Sequence, residues 1–171
     1  VSLAARRGDG LASGGVASTR TGEALRPPPE PTYRRSPIPV FHAHIPRGRF
    51  SAEDKRALAD AFNRALVEAL NIPAEDRFVI LSEHGPDELF LHPTFMEMNR
   101  DAANAMIITV MIGAHRPIED KRQLAATIAR LVVETAGVTP DDVFLTLVPV
   151  PNENFSFGRG ELQLADSAPK W

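Results

Sequence analysis

A chain of 171 residues, 43% hydrophobic and 24% charged, has room for one domain with a real core but not for two ordinary ones. Its net charge of −3 gives no electrostatic reason to expect nucleic acid or an anionic membrane as a partner. The lack of cysteine excludes disulfides, thiolate nucleophiles and Cys-ligated metals; no apolar run approaches the roughly 18 residues that span a bilayer, and a cytoplasmic protein is expected.

Residues 1–37 differ in composition from the rest. They hold Arg6, Arg7, Arg20, Arg26, Arg34 and Arg35, together with Gly, Ser and the run Pro27-Pro28-Pro29-Glu30-Pro31. Apolar periodicity is missing, so this stretch cannot bury enough surface to offset its ordering entropy and is expected to be disordered. It has no apolar core of a secretory signal, and Asp9, Glu23 and Glu30 count against a transit peptide.

Order is expected from Pro39, giving a domain over 38–166 and a short tail over 167–171. Val40 to Ile45 reads as a strand closed by Pro46 and Gly48. Ser51 suits a helix N-cap, with Glu53 and Asp54 favourably placed in the first turn. Leu58, Phe62, Ala65 and Ala69 then recur at helical spacing until Asn71, ahead of Pro73. Arg77 to Ser82 reads as a second strand, and Ala105 to Ile112 as a third. Pro117 suits the first position of a second helix whose stripe is Leu124, Ile128, Leu131 and Thr135. Gly137 is its C-cap, and Val143 to Val150 is a fourth strand.

The second half repeats the first. One register pairs Glu53-Asp54-Lys55-Arg56 with Glu119-Asp120-Lys121-Arg122, Leu58 with Leu124, Arg64 with Arg130, Glu68 with Glu134, Asp76 with Asp142 and Phe78 with Phe144. About a third of the positions coincide without a gap, which marks an internal duplication. The fold class that follows is α+β: two β-α-β units merged into one four-stranded mixed sheet with both helices on one face. The third and fourth strands are apolar nearly throughout, as strands buried on both faces are. Two helices cover one face only, so another subunit is expected on the other.

Particular stretches carry a family likeness. They are the Pro39-initiated strand followed by Gly48-Arg49, then Ile72-Pro73-Ala74-Glu75-Asp76-Arg77-Phe78, Thr139-Pro140-Asp141-Asp142-Val143, and Phe155-Ser156-Phe157-Gly158-Arg159-Gly160. In order and spacing, residues 39 to about 166 resemble the tautomerase superfamily, and within it malonate semialdehyde decarboxylase and its relatives. The resemblance implies a tautomerase-like fold, a homotrimer, and a cofactor-independent enzyme acting on a small oxo acid. The reaction implied is enol–keto tautomerisation, or decarboxylation of a 3-oxo acid; hydration chemistry is compatible with the same groups.

The resemblance assigns catalysis to Pro39, whose ring nitrogen is a base or an acid when it is a free amine. In this sequence Pro39 is internal, and a proline amide has neither a usable lone pair nor a proton. Three readings follow: a true start at Ile38 with trimming to expose Pro39, proteolytic removal of a longer extension, or a retained extension and no proline chemistry. The resemblance also implies that Arg116 binds the substrate carboxylate, a task suited to a guanidinium fork. The decarboxylases carry two arginines here; this chain has Ala114-His115-Arg116, leaving His115 as a second contact. The alternative is an exposed arginine near a helix N-terminus, where the dipole does not help it.

Asp76 matches the family's acidic residue near the proline, although the repeat partner Asp142 makes a turn role equally open. Phe155 and Phe157 resemble the pocket's aromatic wall, or else pack on a neighbouring subunit, and Arg159 could reach the pocket or a carboxylate. His42 and His44 share a strand face, with His84 and His92 as further nitrogen donors. No acidic partner stands at recognisable spacing, so packing or substrate contact is expected and no metal is assigned. A non-catalytic trimer and a His-based metal enzyme complete the alternatives.

Overall fold

The computed structural model describes residues 39–166. The expectations for residues 1–38 and for the tail lie outside the described residues. The chain runs β1 (Val40–Pro46), α1 (Ala52–Leu70), β2 (Phe78–His84), β3 (Met106–Gly113), α2 (Ile118–Ala136) and β4 (Val143–Val150), with three short 3-10 turns between or after them. The strands form one sheet in the order β2-β1-β3-β4. Within each half the pairing is parallel, and β1 meets β3 antiparallel, with Val40 opposite Met111 and His44 opposite Ile107. The expected mixed sheet is therefore present.

Each helix starts and stops for local reasons. Ser51 caps α1 through a reciprocal capping box with Asp54, at 3.1 and 2.9 Å. Asn71 closes α1 and Gly137 closes α2, both in the left-handed conformation. Pro117 sits one place earlier than the sequence suggested: its extended backbone (φ −57°, ψ 156°) makes it the N-cap of α2. β2 also extends past Ser82, because parallel pairing with β1 continues as far as His84 opposite Pro46.

The duplication is visible in the packing. Leu58, Phe62, Ala65 and Leu66 of α1 are buried, as are their repeat equivalents Leu124, Ile128, Leu131 and Val132 of α2. These side chains meet Phe41, Ala43 and Ile45 of β1 and Met106, Ile108, Val110 and Ile112 of β3 in one core. Phe41 stacks on Phe62 with ring centroids 4.9 Å apart. Alternation along each strand sends the remaining side chains to the other face. That face is left open: Phe78 is 43% exposed, Ile80 49%, Phe144 43% and Val148 39%. Among the described residues β2 and β4 also leave two free sheet edges.

Asp142 ties the second half together. Fully buried, it accepts hydrogen bonds from the Thr139 amide (2.9 Å), the Thr139 hydroxyl (2.8 Å) and the Asp101 amide (2.7 Å). Its removal would take a fully buried acceptor away from three donors at the entrance to β4. Asp142→Ala is expected to lower unfolding stability by about 3 kcal/mol, read from urea titration. A loss well under 1 kcal/mol, on the order of experimental error, would contradict this structural role.

Candidate active site

Because β1 and β3 run in opposite directions, the start of β1 lies at the same end of the sheet as the finish of β3. Pro39 is buried one residue ahead of Val40, which is paired with Phe78 on one side and Met111 on the other. The same end therefore collects the approach to β2 (Asp76, Arg77), the exit of β3 (Gly113 to Arg116) and the exit of β4 beyond Val150. Gly113 pairs with Val150, and the Ala114 amide donates to the Val150 carbonyl at 2.9 Å, which fixes the turn carrying Arg116.

Arg116 is not the exposed residue that a surface reading would need, since its side chain is only 10% exposed. Its Nη1 donates to Asp120 Oδ2 at 3.2 Å, one helical turn along α2. Asp120 is the repeat equivalent of the capping residue Asp54. In the first half that carboxylate closes a box with Ser51; in the second, Pro117 occupies the Ser51 position and offers neither N–H nor hydroxyl. The carboxylate holds the arginine instead. His115 is exposed beside it.

Asp76 and Asp142 separate clearly in three dimensions. Asp142 is satisfied by its three donors, whereas Asp76 is buried with its carboxyl raised above the ordinary 3.8, through burial first and the neighbouring Glu75 charge second. A carboxyl held in this way resists ionisation, as a group in proton-transfer work often does.

Phe155 and Phe157 come together, and Phe78 joins them. Phe155, buried, stacks on Phe157 with 5.8 Å between centroids and 8° between planes, and Phe157 lies 6.3 Å from Phe78. Phe78, read in the sequence as a strand and repeat residue and not as part of the site, links the C-terminal segment to the strand that follows Asp76. Gln163 secures this segment: its Oε1 accepts from the Phe157 amide and its Nε2 donates to the Gly158 carbonyl, both at 3.0 Å. Arg159 is exposed in a left-handed turn between Gly158 and Gly160, a conformation the flanking glycines adopt without strain. Pro39, Asp76, Arg116, His115, Phe155 and Phe157 thus share one end of the sheet.

Two clefts, of about 380 and about 210 Å³, lie at the opposite end; Pro39 lines neither. His42, His44 and His84 lie on the open sheet face, away from Arg116. Among the described residues no group of three or more His, Cys, Asp or Glu is placed to hold a metal ion. No helix among them is long and apolar enough to cross a membrane.

Comparison with known proteins agrees with this fold. Two family profiles, each described as tautomerase enzyme, match residues 39–98 and 76–158, the first beginning at Pro39 itself. A probable tautomerase of Bacillus subtilis (strain 168), YusQ, is 26% identical over 129 residues, spanning 75% of this chain and all of that protein. The crystal structure of FG41 malonate semialdehyde decarboxylase inhibited by 3-bromopropiolate is 35% identical, with a TM-score of 0.66, over 72% of this chain and 92% of that one. A fused 4-OT described as an asymmetric trimer shares the fold at 21% identity and a TM-score of 0.62, over 72% of this chain and 96% of that one.

The raised carboxyl gives a test of Asp76. An acid whose folded pKa exceeds its unfolded value loses stability as pH rises from the unfolded value through the folded one. Asp76→Asn is therefore expected to leave stability at neutral pH unchanged or raised, measured by urea titration. A loss of more than about 1 kcal/mol would make Asp76 a structural residue like Asp142.

Proposed function

Since the chain belongs to the tautomerase family, we propose that it is a cofactor-independent enzyme for a small oxo acid, working through Pro39 as a free amine. The observation that carries this reading is the family match beginning at Pro39, at the sheet end where Asp76, Arg116 and the phenylalanine wall also lie. Removal of the residues ahead of Pro39, by a start at Ile38 or by proteolysis, turns its nitrogen from an amide into a secondary amine.

The chemistry then follows from the groups present. In tautomerisation the Pro39 nitrogen takes the enol hydroxyl proton and returns it to carbon, so that the C=C–OH unit becomes HC–C=O. In decarboxylation the protonated amine hydrogen-bonds the 3-oxo oxygen as the C–C bond to the carboxylate breaks. That electron pair enters the enolate, carbon dioxide leaves, and the enolate carbon is reprotonated. Arg116 holds a carboxylate oxygen pair, with Asp120 fixing its orientation. Asp76, buried and slow to ionise, lies on the same side as the amine, where it orients substrate or water. Phe78, Phe155 and Phe157 exclude bulk water from the reacting carbon.

A homotrimer is part of the same proposal. The open apolar sheet face and the two free sheet edges call for a covering surface, and the fused 4-OT of the same fold was solved as a trimer. The single arginine, with Ala114 where the decarboxylases carry a second, favours a broad tautomerase assignment over malonate semialdehyde itself. A second reading rests on Pro39 being internal in this sequence: with the preceding residues retained, the chain is a non-catalytic member of the family.

Protein produced with Pro39 at its amino terminus is expected to ketonise an enol of a 2-oxo acid, followed by ultraviolet absorbance. Pro39→Ala and Arg116→Ala should each lower kcat/KM by about 100-fold or more. Full rates in both variants would remove these residues from the mechanism. Asp120→Asn should raise KM more than it lowers kcat, because it loosens the arginine without touching the amine.

A further inference from the structure

The sheet face turned away from the helices carries a row of imidazoles. His42 and His44, two residues apart on β1, point to this face with ring centroids 4.1 Å apart. His84, the last residue of β2, lies 4.9 Å beyond His44. The His42 Nε2 is hydrogen-bonded to the Ser82 hydroxyl at 2.8 Å, and His44 Nδ1 to His84 Nε2 at 2.8 Å. Three rings thus form a continuous line from the central strand β1 to the end of the edge strand β2.

The surroundings give the row almost nothing with which to balance positive charge. On β3 the residues opposite His42 and His44 are Thr109 and Ile107, and on β2 they are Ile80 and Ser82. β4 presents Phe144 and Val148 to the same side. The following loop brings two more basic side chains, His92 and Arg100, to the cleft formed with Ile107 and Phe144. Glu88 approaches His84, but it is held by the Gly85 amide at 2.6 Å and by Arg47 at 2.9 Å. Glu83 is engaged by Lys55 and by the Gly48 amide. Among the described residues no carboxylate is hydrogen-bonded to any of the three rings.

A hydrogen bond between two imidazoles needs one nitrogen to donate and the other to accept. One proton can be shared across the pair. A second makes both nitrogens donors, and the 2.8 Å contact can no longer be a hydrogen bond. A charge on His42 adds repulsion at its 4.1 Å spacing from His44. We propose that this row is a pH-sensitive lock on self-association: neutral, it lets the face pack against second copies of this chain, and protonated, it drives those copies apart. The inference rests on the reading that this face joins the subunits of a trimer. The occupant is a second copy because, apart from the row, the face is largely apolar and carries no charged strand residue, because among the described residues β2 and β4 are edge strands, and because the fold has been solved elsewhere as a trimer.

The sign of the effect is fixed by His44. Burial first, then the neighbouring His42 and His84, holds its pKa below the ordinary 6.5. His44 in the folded face therefore binds a proton less readily than free imidazole does. Stability that is complete at higher pH is lost as pH falls below about 6.5. Packing a second copy over the face deepens burial and strengthens this opposition.

Light scattering after size-exclusion chromatography at about pH 7.5 and about pH 5 tests the lock, on the wild type and on His42→Gln/His44→Gln/His84→Gln. Glutamine keeps a donor and an acceptor but cannot take up charge. The wild type should fall about threefold in mass at the lower pH with its far-ultraviolet dichroism intact, while the triple variant keeps its mass at both. A wild type assembled at both values overturns the lock but leaves the interface standing. A wild type monomeric at pH 7.5 overturns the interface itself. Equal dissociation of wild type and triple variant assigns the effect to other groups and overturns the lock. Should the triple variant not fold, His44→Gln alone must move the dissociation midpoint to lower pH by about half a unit or more, and an unmoved midpoint overturns the proposal.

Discussion

The antiparallel pairing of β1 with β3 is the constraint on which the rest of the structure depends. Each half is a β-α-β unit with a parallel strand pair and one helix, too small to bury its own apolar surface. Joining the two central strands merges two incomplete cores into one. Phe41, Ala43 and Ile45 then share a core with Met106, Ile108, Val110 and Ile112 beneath both helices. The same pairing reverses one half against the other, so the start of β1 meets the ends of β3 and β4. A parallel join would have sent Pro39 and Arg116 to opposite ends of the sheet.

The site arises where the two copies of the repeat have diverged. Phe50 is buried in the first half, and its equivalent in the second is Arg116. Ser51 becomes Pro117, which ends the capping box and leaves Asp120 to hold the arginine. Asp142 keeps a structural task with three donors around it, while Asp76 sits buried with its carboxyl raised. The positions that remain alike, such as Leu58 with Leu124 and Phe62 with Ile128, are the ones that pack the core. Symmetry serves the scaffold, and the departures from it make up the proposed site.

Much of this was legible in the sequence because the signals are local or periodic. The Ser51 cap, the Asn71 and Gly137 stops and the helical stripes follow from spacing alone, and the duplication located the second half once the first was read. The open face was also readable, since β3 and β4 lack the charged residues a solvent-facing side would carry. What could not be read were contacts between segments far apart in sequence. The reach of Gln163 to Phe157 and Gly158, the link from Phe157 to Phe78, and the line from His42 through His44 to His84 depend on folded distances. The exchange of partners by Asp120 had a sequence signal, a conserved acid in the repeat facing a lost serine, but only the ion pair gives it meaning. The displacement of Pro117 to the N-cap has a similar origin, because its extended ψ sets the helix boundary and composition alone does not.

Everything chemical in this account depends on the ring nitrogen of Pro39 being an amine. Amino-terminal sequencing of the polypeptide made in its native cell addresses that point directly. Pro39 is expected as the first residue, followed by Val40 and Phe41. A mature chain in which any residue remains joined to the Pro39 nitrogen would contradict it, leaving the fold and the assembly without the catalysis.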